Sequence, residues 1–274
     1  MKIGVFIHHS LEGMEQKFKD LADRGFDNCQ LDSWNSALWT DEQAELINGL
    51  CKKYGVTISA FWCGWQGPAV WDFYDGQETL GLVPSVYRYA RMKDIINGAD
   101  FAKKLGVTDV ITHVGFLPEN PHDPNYHSLL SSLRVILAHI KKNEQYFLFE
   151  TGQETPVTLL RTIEELGGEN LGINLDPANL IMYGKANPVD ALDVFGKYVR
   201  GIHAKDGKYP TDGKNLGPET PLGEGKVNYP AFIKRLQEVG YDGCLTIERE
   251  IDGAEQLRDI ENARKTLTEI LATL

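Results

Sequence analysis

The chain has 274 residues, 42% of them hydrophobic, and a formal net charge of −11. That length buries a large core and is near the size of one α/β barrel, and the apolar content excludes a disordered chain. The negative charge argues against a protein that grips nucleic acid or an anionic membrane through a basic surface.

Strand and helix signals alternate along the chain. Lys2–Ile7 reads as a first strand, followed by a helix with apolar positions Met14, Phe18, Leu21 and Ala22 that stops at Gly25. Asp27–Leu31 is the second strand, and Thr40 with Gln43 forms a capping-box signature for a helix carrying Ile47, Leu50, Cys51 and Tyr54. Val56–Phe61 makes strand three, whose helix ends near Leu105-Gly106, and Thr108–His113 makes strand four. A stripe at Leu129, Leu133, Ile136, Leu137 and Ile140 marks the next helix. Tyr146–Glu150 is strand five, and Thr155-Pro156 then starts a helix as N-cap and first-turn proline. Leu171–Leu175 is strand six, after which Asn187-Pro188 repeats that start. Tyr198–Ile202 is strand seven, followed by a helix with Phe232, Ile233 and Leu236; Gly243–Ile247 is strand eight, followed by a last helix through Ile270. The joins Gly25-Phe26, Gly55-Val56, Gly106-Val107 and Gly240-Tyr241 read as helix C-caps that feed the next strand. Strict alternation predicts a parallel sheet, and eight units predict an α/β fold of the (β/α)8 TIM-barrel type, as a single domain over residues 1–274.

The four last strands share an unusual ending. Tyr146-Phe-Leu-Phe is a continuous apolar run that stops on Glu150, and the three later strands run into Asp176, His203 and Glu248. An unpaired buried carboxylate is costly, so an apolar strand that ends on an acid needs a chemical reason. Salt bridges at a barrel rim account for any one of the four. They account poorly for four in consecutive strands, all at the carboxyl end where such barrels carry their active sites. Three carboxylates and one imidazole suit Mn²⁺, Mg²⁺ or Co²⁺ better than a structural zinc, which favours thiolates and histidines. Mn²⁺ is the expected cofactor, with Zn²⁺ also admissible.

Glu150 and Glu248, from strands five and eight, face each other across a closed barrel. Such a pair with a metal between them serves proton transfer on two faces of one carbon. One glutamate removes the proton, an enediolate forms at the metal, and the other glutamate returns a proton to the opposite face. The outcome is epimerisation, or isomerisation when the proton returns to the adjacent carbon. His113 and His8, at the ends of strands four and one, are candidate contacts to substrate hydroxyls, as are Gln153 and Asn179. Trp34 and Trp62 are candidates for an apolar wall behind a sugar ring, and Lys205, two residues beyond His203, for a substrate contact. Two long loops, Trp62 to about Pro84 and Asp206 to about Lys226, leave the active face and suit a lid.

The Glu, Asp, His, Glu set resembles the xylose isomerase-like TIM-barrel sugar isomerases and epimerases, among them ketose 3-epimerases, hydroxypyruvate isomerase and inosose dehydratase. The resemblance covers nearly the whole chain and is densest from Glu150 to Glu250. It implies that Glu150, Asp176, His203 and Glu248 bind the metal, that Glu150 and Glu248 are the acid/base pair, and that a small sugar or sugar phosphate is the partner. Homo-oligomers are common in the family. Free-ketose 3-epimerases usually carry a histidine where Asn179 stands and an arginine where this chain offers Lys205 and Lys208. Asp176-Pro-Ala-Asn-Leu180, His203-Ala-Lys-Asp206 and Gly223-Glu-Gly-Lys-Val227 look more like the ketose-5-phosphate 3-epimerases.

Other classes fit less well or share the first step. A DNA-repair endonuclease of related architecture needs several zincs, more histidines than the seven present, and a basic groove. A lyase or dehydratase acting on a keto-sugar or keto-inositol uses the same enediolate and then expels a leaving group, and the sequence leaves that alternative open. Cys29, Cys51, Cys63 and Cys244 show no CxxC spacing and read as reduced thiols. Lys2–Ile7 is too short and too soon followed by His8, His9 and Ser10 for a signal peptide. No apolar run approaches membrane-spanning length. A cytoplasmic enzyme without membrane or nucleic-acid partners is the expectation.

Overall fold

Eight parallel strands close on themselves in the computed structural model, which describes residues 1–274. They span Lys2–His8, Asn28–Ser33, Thr57–Cys63, Asp109–Thr112, Tyr146–Glu150, Leu171–Leu175, Val199–Ala204 and Cys244–Ile247. Each pairs with its neighbours in chain order, and the eighth closes on the first with Lys2 opposite Cys244 and Val5 opposite Ile247. The (β/α)8 barrel follows from the alternation, since a parallel crossover needs a helix on the outer face. Between strands and helices lies a continuous apolar core that includes Phe61, Val110, Phe147, Ile173, Ile202 and Leu245.

Local chemistry sets the element ends. Gly25, Gly55, Gly106 and Gly240 all have positive φ, between 67° and 86°. A side chain strains that conformation, so glycine ends the helix there and lets the chain enter the next strand at once. Thr155 accepts from Thr158 N at 3.4 Å and Asn187 from Val189 N at 2.8 Å, each with proline following. The capping box at Thr40 is only half formed: its hydroxyl accepts from Gln43 N at 3.3 Å, but the Gln43 amide turns to His9 Nε2 at 3.4 Å.

Several boundaries differ from the pattern reading. Strands one, two and three run further, to His8, Ser33 and Cys63, because the ladder continues through Asp32 opposite Trp62 and Ser33 opposite Cys63. Tertiary pairing there overrides the weak strand propensity of Asp and Ser. His203 lies inside strand seven rather than after it. A helix at Pro177–Met182 precedes the one at Pro188–Phe195, and its six residues are too few to show a period. The two long loops carry structure of their own: a short helix at Gly76–Thr79, and a ribbon pairing Asp206–Gly207 with Glu219–Thr220.

The loops also meet. Phe73 N donates to Lys214 O at 2.8 Å, and Asp72 bridges to Asn215. Arg91, from the helix Ser85–Lys104, is fully buried behind the first loop. It donates to the carbonyls of Gln66, Pro68, Thr79 and Gly81 at 2.7–3.0 Å. One guanidinium thereby satisfies four carbonyls of the loop, three of them outside any strand or helix and the fourth at the end of the short helix Gly76–Thr79. No helix is long and apolar enough to cross a membrane.

Arg91→Lys keeps the charge but loses the planar fork. It is expected to lower the unfolding free energy by about 2–4 kcal/mol through orphaned carbonyls. Urea denaturation measures this, with faster proteolysis between residues 66 and 83 as its local signature. Wild-type stability in the variant would show that the loop holds without it.

Candidate metal centre and active site

Strands five to eight deliver Glu150, Asp176, His203 and Glu248 to one end of the barrel, all four buried, with their ligand atoms within 4.8 Å of one another. Glu150 ends strand five. Asp176 follows strand six and caps the helix Pro177–Met182, its Oδ1 accepting from Asn179 N at 2.9 Å while Oδ2 faces the cluster without a hydrogen-bond partner. Thr151 fixes that backbone, taking Asp176 N at 2.9 Å and donating to Asp176 O at 3.0 Å.

The histidine is oriented from behind. His203 Nε2–H donates to Gln30 Oε1 at 2.8 Å, and the Gln30 amide donates in turn to Asn174 Oδ1 at 3.3 Å. Nδ1 therefore faces the carboxylates, 2.8 Å from Glu150 Oε1 and 3.0 Å from Glu248 Oε2. Neither approach has hydrogen-bond direction, and Nδ1, Glu248 Oε2 and Asp176 Oδ2 are all buried without a partner. Buried polar atoms are nearly always satisfied. Three orphans converging from three strands, in an oxygen-rich set with one nitrogen, fit a single divalent cation.

The protonation states follow from burial and neighbours. Burial alone would raise Glu150, but His113 and His203 hold it below the usual carboxylate value. Burial would also raise Glu248, yet Lys205 and His203 hold it well below. Asp176 has burial as its dominant influence and is pushed up to about 8, against the pull of Lys205. Burial opposes charge on Lys205 and His203 as well, but the surrounding carboxylates keep both well above their ordinary values. Burial lowers His113, and its Nε2 sits 3.3 Å from Glu150 Oε2. The Trp62 indole N–H donates to the same oxygen.

A cavity of about 520 Å³ opens over this cluster. Trp34 and Trp62 stack at 5.0 Å on one wall, and Trp71 from the first loop lies 5.2 Å from the His113 ring. Of the expected substrate contacts, His8, His113, Asn179, Lys205 and Trp62 line the cavity. Gln153 does not: it is buried, its amide donates to the Tyr183 hydroxyl at 3.1 Å, and Tyr183 reaches the cavity instead. The chain bends at Gly152–Glu154, directly after strand five.

Other lining residues escaped the sequence reading. Asp32 is buried at the end of strand two and accepts from His8 Nδ1 at 2.8 Å, which raises His8 above its ordinary value. Its signal was an acid directly after the expected strand two, masked because that strand, with Asn28 and Gln30, is not the apolar run that marks the other four. Arg249, Glu250 and Asp252 line the cavity beyond strand eight, and Gln30 supports His203 from inside strand two.

A family model described as Xylose isomerase-like TIM barrel matches residues 18–270. The crystal structure of a xylose isomerase domain protein from Planctomyces limnophilus is similar over 98% of this chain and 96% of its own, at 34% identity and a TM-score of 0.91. A D-tagatose 3-epimerase-like protein aligns over 100% of this chain and 98% of its own, at 23% identity and a TM-score of 0.75, a likeness of fold. An uncharacterised protein of Methanocaldococcus jannaschii is 28% identical over 193 residues, covering 66% of this chain and 61% of that relative's length.

Two outcomes are expected. Mn²⁺ at 100 times its Kd should stabilise the fold by about 2.7 kcal/mol, seen as a rise in Tm that Asp176→Asn and His203→Asn each abolish. A wild-type Tm indifferent to Mn²⁺, Mg²⁺ and Co²⁺ would refute the centre. Glu154, just behind it, is buried with Oε1 unpartnered, and burial pushes its carboxyl up to about 8 from an ordinary 4.5. The folded chain then holds a proton that the unfolded chain releases, so stability falls as pH rises from about 4.5 towards 8. Glu154→Gln is expected to flatten that slope and to stabilise the protein by a few kcal/mol at pH 8, measurable by urea titrations at pH 5.5 and 8.

Proposed function

This chain belongs to the xylose isomerase-like TIM-barrel family, and from that premise we propose that it is a divalent-metal-dependent sugar isomerase or epimerase of the ketose 3-epimerase type. The observation that carries the reading is the pair Glu150 and Glu248, which approach one imidazole nitrogen from strands five and eight at 2.8 and 3.0 Å. Two ionised carboxylates flanking one point suit removal of a proton from one face of a carbon and its return to the other.

A divalent ion, which we assign as Mn²⁺, held by Glu150, Asp176, His203 and Glu248 supplies the Lewis acidity that makes the C–H beside a carbonyl acidic. The residues around it prepare the two bases. Trp62 and His113 grip Glu150 Oε2 and fix the plane of that carboxylate. Lys205, 3.5 Å from Glu248 Oε2, keeps Glu248 ionised. Each glutamate transfers a proton at a carboxylate oxygen: one takes it from the substrate carbon, and the other gives one back to the opposite face. Return to the neighbouring carbon gives an aldose–ketose isomerisation instead.

The walls present the substrate. The Trp34–Trp62 face stacks on the apolar C–H side of a sugar. His8, with Nδ1 held by Asp32, is left with Nε2 for a sugar hydroxyl. The joined loops shelter the carbanion-like species from bulk water.

Incubation with Mn²⁺ in D₂O against a ketose panel tests this reading. Deuterium is expected at C3 of a ketose, and Glu150→Gln or Glu248→Gln should each slow its entry by about 10²–10⁴-fold. Stoichiometric metal with no exchange from any sugar would sink it.

A further inference from the structure

The charges around the cavity bear on what enters it. Two permanently cationic side chains line it, Lys205 and Arg249, and both are already engaged. Lys205 Nζ, with a side chain only 2% exposed, lies 3.0 Å from Glu250, 3.5 Å from Glu248 and 3.8 Å from Asp176. Arg249 spans Glu219 and Asp259 at 2.9 Å each, and Glu219 also accepts from Glu250 N at 3.1 Å. The two imidazoles on the wall follow suit, His8 pairing with Asp32 and His113 with Glu150. Lys208, Lys214 and Lys226, the other basic residues of the loop after strand seven, do not line the cavity.

The position of the acids is as telling. Barrels that take phosphorylated substrates commonly seat the phosphate in the loops after strands seven and eight, near a helix N-terminus. Here that region presents Glu250 and Asp252 to the cavity before the last helix begins at Ala254. A phosphate monoester carries about −1.5 to −2 charges at pH 7. To be bound it would have to pull Lys205 from the exposed Glu250, 3.0 Å away, or pull Arg249 from Glu219 and Asp259 and leave those two largely buried acids unpaired. An uncharged sugar meets no such conflict, because its hydroxyls donate to the carboxylates and its C–H face stacks on the tryptophans.

We propose that the substrate is an uncharged sugar, and that the acidic rim formed by Glu250 and Asp252, together with the committed state of Lys205 and Arg249, rejects sugar phosphates. The assignment runs against the motif likeness to ketose-5-phosphate 3-epimerases. It rests on the reading of this cavity as a sugar site, but binding alone can test it.

The test pairs each sugar with its phosphate: D-ribulose with D-ribulose 5-phosphate, and D-fructose with D-fructose 6-phosphate. Each is titrated into the Mn²⁺-loaded enzyme, with quenching of tryptophan fluorescence reporting binding and deuterium entry from D₂O reporting proton transfer. The free sugar of a pair should bind at least about 100-fold more tightly than its phosphate. That preference should shrink as salt is raised from 0.1 M to 1 M and the screening length falls from about 10 to about 3 Å. Asp252→Lys, at an exposed rim position, should narrow it at least about 10-fold. Equal or tighter binding of the phosphates, binding of neither class, or a preference unmoved by both salt and Asp252→Lys would each overturn the proposal. Free-sugar binding without deuterium entry would instead remove the proton-transfer reading and leave this one standing.

Discussion

Mutual repulsion among Glu150, Asp176 and Glu248 is the constraint around which the upper end of this barrel is arranged. All three are buried, so each charge must be met by a protein group or a cation. His203 and Lys205 are the groups the chain itself supplies, and each is buried by the same carboxylates that need it. The balance is incomplete, as the partnerless oxygens on Asp176 and Glu248 record. An electrostatic deficit of this kind makes a site receptive to a dication, while His113, His203 and Lys205 keep two glutamates ionised where burial favours their neutral form.

The supporting residues reach further than the ligands. Gln30 and Asn174 link strand seven to strands two and six through the barrel interior, so the imbalance at His203 is held in place by elements from both halves of the chain. Arg91 performs a comparable task for the first loop, supplying donors to carbonyls that no ladder pairs. In both cases one polar side chain stands in for regular structure where the active face departs from it.

The barrel and its four candidate ligands were legible because they obey short-range rules. Apolar runs of strand length, glycines at helix ends and N-cap–proline pairs mark elements without knowledge of their neighbours, and Glu150, Asp176, His203 and Glu248 stand at the ends of four such runs. What escaped depended on contacts between distant segments. Asp32 belongs to strand two because His8 and Trp62 pair with it from either side, and Gln153 is held by the Tyr183 hydroxyl from another segment. The engagement of Lys205 by Glu250, 45 positions away in the sequence, is a property of the closed barrel alone.

The site divides along the chain. Every metal-type ligand lies between Glu150 and Glu248, whereas the tryptophan wall, His8, Asp32 and His113 come from the first four strands and the loops that follow them. The candidate ligands are thus confined to one half of the polypeptide, while the cavity wall draws on both, with Asn179, Tyr183, Arg249, Glu250 and Asp252 from the second. Substitutions confined to the first half can therefore reshape one wall of the cavity while the cluster of three carboxylates and one imidazole stays intact.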